Sequence, residues 1–199
     1  MDKTKLNKHF ILASSSQRRL ELLSQIGIKP DLILSPNIDE NIIFKELPRI
    51  YVERMSLEKN RLFQLKYPES IILTADTVVC VGRRILPKTM DMNTAEKCLN
   101  LITRRRHKVF TSFTLYSPNS SLKTKTIQSI IKFKRLHPDE ISYYLDTKEW
   151  EGKAGGYAIQ GIAASYVNFI SGSYSSVVGL PLAEIYRVLI SIGYEFKND

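Results

Sequence analysis

Cysteine and histidine are scarce in this sequence, with two and three among 199 residues. Cys80 and Cys98 form no Cys-x-x-Cys pair, and His9, His107 and His137 are too scattered to suggest a zinc cluster. A disulfide scaffold is therefore excluded, and both thiols are expected to be reduced and at least half-buried. No Gly/Ser/Pro-rich linker, internal repeat or low-complexity tract divides the chain, so a single domain over residues 1–199 is expected. No apolar run approaches membrane-span length. Met1 to His9 is charged and polar with no signal-peptide core behind it, which predicts a cytoplasmic protein without a membrane partner.

The hydrophobic fraction of 43% and charged fraction of 25% are those of a folded globular chain. Its formal charge of +9 favours a polyanionic partner: nucleic acid, an acidic membrane or a small phosphorylated substrate. The densest basic run is Arg104-Arg105-Arg106-His107-Lys108. No recognition helix or aromatic-interleaved RNA signature surrounds it, so no stable nucleic-acid binding is expected from this run.

Hydrophobic patterning alternates between strand and helix. Phe10 to Ala13 reads as a buried strand, followed by a helix with Leu20, Leu23 and Ile26 on one face, ending at Gly27. Asp31 to Ser35 suits a second strand, and Leu47 to Leu65 a long helix with Val52, Met55, Leu62 and Leu65 inward. Ile71 to Val81 is a strand that turns at Gly82-Arg83 and returns through Ile85-Leu86. Asn93-x-x-Glu96 resembles a capping box. Val109 to Tyr116 and Thr124 to Lys134 read as an antiparallel pair joined through Ser117-Pro118-Asn119-Ser120; Pro138 and Pro181 open two further helices. The expected class is α/β with a mixed sheet flanked by helices.

Two places carry chemistry. Ser14-Ser15-Ser16-Gln17-Arg18-Arg19 ends the first strand and opens a helix, a layout in which N–H groups and guanidinium forks can hold phosphate. The same residues also suit a plain serine N-cap followed by two solvated arginines. Asp76 interrupts a buried β-branched run and needs a partner: it either caps a turn or pairs with arginine, or it holds a cation or takes a proton from water.

Four ordered blocks then resemble the Maf family of nucleoside triphosphate pyrophosphatases. They are Leu12 to Arg19, Ala75-Asp76-Thr77-Val78-Val79, Lys153-Ala154-Gly155-Gly156-Tyr157-Ala158-Ile159-Gln160-Gly161, and Gly172 to Leu182. Ile38-Asp39-Glu40, Glu58-Lys59, Leu86-Pro87-Lys88 and His107-x-x-x-Thr111 fall at the corresponding places between them. The resemblance implies a strongly twisted mixed sheet with two lobes around a deep cleft, similar to inosine triphosphate pyrophosphatases. It also implies cleavage between the α- and β-phosphates of a nucleoside triphosphate.

On that resemblance Asp76 is the general base, and Glu40 joins it at a divalent cation, magnesium or manganese, which suits oxygen donors. Ser14, Ser16, Arg18, Arg19, Lys59 and Lys88 would hold the triphosphate, with Lys153 bordering the cleft. Arg18, Thr77 and Gln160 match the subgroup resembling dTTP and UTP pyrophosphatases, and the Gly155-Gly156 pair would let backbone approach the nucleotide. A homodimer is the assembly expected on that resemblance. The alternatives at this level are a catalytically weak relative acting through a partner in cell-division arrest, and a basic nucleic-acid-binding protein. Three positions depart from the family: Gln17 and Thr89 replace proline, and Arg104 replaces glycine, where a positive φ would be strained.

Overall fold

The computed structural model describes residues 9–118 and 120–196. The polar leading segment through Lys8, and Asn119 of the expected hairpin turn, lie outside them. The elements in chain order are β1 (Phe10–Ala13), α1 (Gln17–Ser24), β2 (Leu32–Leu34), α2 (Pro48–Gln64), β3 (Ile71–Val81), β4 (Arg84–Leu86), α3 (Met92–Ile102), β5 (Arg106–Ser117), β6 (Ser120–Phe133), α4 (Pro138–Asp146), β7 (Val167–Ser171), α5 (Tyr174–Val178) and α6 (Leu182–Ser191). A 3-10 turn over Ile162–Tyr166 precedes β7.

The strands form one seven-stranded mixed sheet in the order β2-β1-β3-β5-β6-β7, with β4 beside the far end of β3. β1 pairs in parallel with β2 and β3, and the remaining pairings are antiparallel. The expected α/β class, with helices flanking a mixed sheet, is what the chain forms.

β3 is the axis of the sheet. One side pairs continuously with β5 from Ile72 to Cys80. On its other side β1 pairs only as far as Thr74, and β4 takes over only at Val79. Between those points β1 has already turned away at Ser14, leaving an opening at the residues that include Asp76 and Thr77. Strand alternation then divides the two: Asp76 shares the α2 face with Ile72, Thr74, Val78 and Cys80, while Thr77 shares the opposite face with Leu73, Ala75 and Val79. That opposite face carries the main core, built with Leu22, Leu23, Leu99, Ile141, Leu145, Ile185 and Leu189 from the helices.

The inward face of α2 departs from the apolar pattern. Val52 and Met55 are buried as expected, but Leu62 is half-exposed and Leu65 is 92% exposed. Their places are taken by Ser56, Lys59, Asn60 and Phe63, all buried. A polar seam joins this helix to the sheet, because the strands present hydroxyls and carbonyls there. Thr74 donates to the Ser56 carbonyl at 2.7 Å, Ser56 donates to Ser112 at 3.0 Å, and Asn60 Nδ2 donates to the carbonyls of Ile72 and Thr114. Each buried polar group thereby gains a partner, as low-dielectric surroundings require.

Other boundaries shift for identifiable reasons. α3 begins one residue before Asn93, because Asp91 accepts the Thr94 N–H at 2.8 Å and is the cap. β7 was not anticipated: its burial pattern has no inward alternation, and pairing with β6 defines it. Both cysteines are free and buried. Among the described residues no helix is long and apolar enough to cross a membrane.

Arg104 has φ 59°, the left-handed conformation for which glycine is suited, and its N–H donates to the Lys134 carbonyl at 3.0 Å. The concern raised by the sequence is therefore realised, and the chain accepts the strain. Arg104→Gly should stabilise the fold by about 0.5–1 kcal/mol, since relief of roughly 1–2 kcal/mol of left-handed strain exceeds the ~0.5–1 kcal/mol of added unfolded-chain entropy. Urea denaturation measures this, and an unchanged or lower midpoint would show that the turn stores no strain.

Candidate active site

The opening beside β3 is a cleft of about 390 Å³. Asp76 forms its floor and is 1% exposed. Lys59 reaches it from α2, with Nζ 2.9 Å from Asp76 Oδ1 and 2.6 Å from Glu40 Oε1. Lys88, just past β4, lies 3.3 Å from the same Asp76 oxygen and 3.5 Å from Glu40 Oε2. Two ammonium groups thus bridge two carboxylates. Both lysines use Oδ1, and Asp76 Oδ2 is buried without a hydrogen-bond partner.

Burial alone would raise the Asp76 carboxyl, but Lys88, Lys59 and Arg19 outweigh it and hold the group below its ordinary range. Glu40 follows the same rule: burial raises it, the Lys59 hydrogen bond and the Lys88 charge lower it further, and the net direction is down. Both carboxylates are therefore ionised at neutral pH.

Glu40 sits on the loop between β2 and α2, and α2 fastens that loop. Arg54 grips Glu46 through Nε at 2.7 Å and Nη2 at 2.8 Å, and its Nη2 also donates to the Asn41 carbonyl at 2.9 Å. The Tyr51 hydroxyl donates to the Glu40 carbonyl at 2.9 Å. A forked arginine–carboxylate pair fixes orientation as well as distance, so the helix that supplies Lys59 also sets the backbone carrying Glu40. Nothing in the local sequence advertised Arg54 or Tyr51; only the folded loop reveals them.

The serine-arginine turn divides its labour. Arg19 is tied inward: Nε donates to the Gly179 carbonyl at 3.0 Å, Nη1 to Ser14 Oγ at 3.0 Å and Nη2 to Thr77 Oγ1 at 3.4 Å. Ser14 Oγ also accepts the Ser16 N–H at 3.2 Å. Thr111 donates its proton to the Ser176 carbonyl at 2.7 Å, so the 3.0 Å contact between Thr77 and Thr111 must use the Thr77 proton. The Thr77 hydroxyl is thereby committed within the protein and serves as an acceptor for Arg19. Arg18, by contrast, lines the cleft and makes no hydrogen bond or ion pair among the described residues. Burial lowers its pKa, and Lys153 across the same cleft is lowered by burial and by the Arg18 charge.

An antiparallel bridge between Lys88 and Ala154 brings the Lys153 to Gly161 block alongside the segment after β4. Gly155 (φ 71°) and Gly156 (φ 69°) do not face the cleft with their missing side chains, contrary to expectation. A Cβ at Gly155 would meet Val79 at 2.8 Å, and one at Gly156 would meet Ala95 of α3 at 3.4 Å. These glycines let the block pack on the core. Tyr157 and Ile159 line the cleft, whereas Gln160 is exposed on the following turn and outside the lining. Behind Tyr157, His107 Nε2 lies 2.8 Å from the hydroxyl, and burial lowers the histidine to about 4.

Among the described residues no group of three His, Cys, Asp or Glu side chains could hold a metal ion. Glu40 and Asp76 form a two-carboxylate, all-oxygen set, which suits a cation completing its shell with water and phosphate oxygens rather than zinc. The partnerless Asp76 Oδ2 is the atom such an ion, or a water, would satisfy.

Lys59→Met tests this electrostatic arrangement independently of turnover. A depressed Asp76 carboxyl stabilises the fold above its unfolded value of about 3.9 and loses that contribution as pH falls through the folded value. Removing Lys59 leaves the burial in place, so the folded carboxyl rises. At pH 7 the variant should be less stable by roughly 1–3 kcal/mol, with the gap closing below about pH 4 as the carboxylates protonate. Denaturant unfolding across pH measures it; a gap independent of pH would assign Lys59 a packing role alone.

The chain is similar to known proteins over most of its length. Over 181 residues the chain is 48% identical to a nucleoside triphosphate pyrophosphatase of Ehrlichia chaffeensis, covering 91% of this chain and 94% of that one. Over 182 residues it is 50% identical to a dTTP/UTP pyrophosphatase of Wolbachia pipientis wMel, covering 91% and 92%. The solved structure of a HAM1 protein from Coxiella burnetii superposes with a TM-score of 0.52 at 12% identity, over 92% of this chain and 99% of that one. At that identity the likeness concerns the fold alone. The Maf-like protein family matches residues 9–192, and the chain belongs to the Maf family.

Proposed function

We propose that this protein hydrolyses nucleoside triphosphates between the α- and β-phosphates, with dTTP and UTP preferred, releasing a monophosphate and pyrophosphate. The observation that carries the reading is the pairing of a buried, ionised carboxylate with cleft cations: Asp76 against Lys59 and Lys88, facing Arg18 and Lys153. Relatives named dTTP/UTP pyrophosphatase in Wolbachia pipientis wMel and Zymomonas mobilis, 50% and 48% identical, support the choice of substrate.

Arg18, Lys153 and Lys88 bind the triphosphate and neutralise charge that grows on the departing pyrophosphate. Ser14, Ser16 and Arg19 shape the turn that presents Arg18. Asp76 acts as the general base toward the attacking water. Lys59 keeps that carboxylate ionised between turnovers. Glu40 and Asp76 would hold the magnesium or manganese ion, which when bound supplies Lewis-acid neutralisation of phosphate oxygens. Thr77 acts through Arg19 rather than on the base. Gln160, one residue beyond cleft-lining Ile159, is proposed to read the base edge, since an amide both donates and accepts.

Pyrophosphate release from dTTP, UTP, ATP, GTP and 7-methyl-GTP, with magnesium, manganese or chelator, tests the reading. The expected result is fastest release from dTTP and UTP, dependent on added metal, with Gln160→Glu losing the pyrimidine preference. Orthophosphate without pyrophosphate would refute the bond assignment. Faster release from 7-methyl-GTP than from UTP would refute the subgroup, and an unchanged preference in Gln160→Glu would move base reading elsewhere.

A further inference from the structure

The basic run from Arg104 to Lys108 takes no part in the cleft, and strand pairing builds part of it into a surface. Arg106 on β5 is opposite Lys132 on β6, and Lys132 is opposite Phe169 on β7. Directly paired residues project to one face, and Lys108, two positions from Arg106, joins them. All three cations are exposed, Phe169 is 43% exposed, and the Arg106 guanidinium lies 5.3 Å from the centre of its ring. This is the sheet face on which α2 packs, but the apolar contacts of α2 end at Cys80 and Phe110, leaving the β5-β6-β7 end open.

Like charges placed directly across a strand pair destabilise the sheet unless an anion relieves them. Among the described residues no carboxylate pairs with Arg106, Lys108 or Lys132, whereas Lys125 and Lys134 are matched by Glu184 and Glu140. The carboxylate that α2 brings to this face is Glu53, which accepts from the Thr126 hydroxyl, two same-face positions beyond Lys108. An unmatched triplet of cations around an exposed aromatic ring on a β-surface is the arrangement that tracks a phosphate backbone and stacks a base. In the linear sequence the nearest aromatic, Phe110, is buried in the fold; β7 supplies an exposed one.

We infer that the open face of β5, β6 and β7 binds single-stranded nucleic acid, with Arg106, Lys108 and Lys132 on phosphates and Phe169 against a base. The surface is separate from the substrate cleft and does not depend on the proposed hydrolysis. The test is fluorescence anisotropy of a 3′-labelled single-stranded DNA 20-mer with a 5′-hydroxyl, in excess inorganic pyrophosphate to occupy the cleft. Three phosphate contacts predict an affinity that falls with salt at a log–log slope of about −2, since each single-strand contact contributes about −0.7. Arg106→Gln with Lys132→Gln should weaken binding at least tenfold and cut the slope to about −0.7, while Phe169→Ala should weaken binding with the slope unchanged. Both variants should keep wild-type nucleotide hydrolysis, and the double variant a melting temperature no lower than that of wild type, because it removes the cross-strand repulsion. Oligonucleotide binding equal to wild type in both variants would overturn the inference. So would no binding by the wild-type protein, or capture only by phosphatidylserine vesicles.

Discussion

A carboxylate buried at the centre of a sheet stays charged only if cations are brought to it, and this protein brings two ammonium groups to a single oxygen of Asp76. Much of the architecture follows from that requirement. β1 stops at Ala13 and antiparallel β4 ends at Leu86 opposite Val79, so the middle of β3 is open to a cleft on one side while β5 holds it on the other. Lys59 must arrive from within the fold, and the helix that carries it is fixed by Ser56 and Asn60 rather than by leucines. Removing a buried ion pair's partner costs far more than an exposed pair is worth, which is why position matters so much here. The same helix, through Arg54 and Tyr51, sets the loop that presents Glu40.

Strands written as apolar or β-branched runs were legible in the sequence: β1, β3 with its Gly82-Arg83 turn, and the β5-β6 pair all stand close to their expected places. So was the need of Asp76 for a partner, because an acid in an apolar run demands one; that Glu40, Lys59 and Lys88 share its site came from the family resemblance, since they lie on distant segments. The inward face of α2 was not legible. Leu62 and Leu65 looked like core, yet the sheet opposite them offers Thr74, Ser112 and Thr114, and matching polar residues won. Gly155 and Gly156 were read toward the nucleotide, whereas their missing side chains make room for Val79 and α3. Hydrogen-bond direction was equally hidden: the threonine chain that commits the Thr77 proton exists only once β3, β5 and the segment after β7 meet. β7 itself, with no burial alternation, is defined by its neighbour.

The two arginines of the first turn show how adjacent, chemically identical residues diverge in the fold. Arg19 ties the Ser14 turn to Gly179 and Thr77, while Arg18 is left with its donors facing the cleft. The net charge of the chain divides in a similar way. Cations at the cleft stand beside Asp76 and Glu40, whereas those on the outer face of β5 and β6 repel one another across the strands without carboxylate relief.

The central claim is that Asp76, held ionised by Lys59 and Lys88, is the general base of the reaction. Single-turnover hydrolysis by Asp76→Asn, with circular dichroism of the same sample, tests it most directly. The predicted result is a rate lowered by about 10²–10⁴, the usual worth of a positioned general base, in a protein that retains the wild-type spectrum. Near-wild-type turnover in that folded variant would contradict the claim.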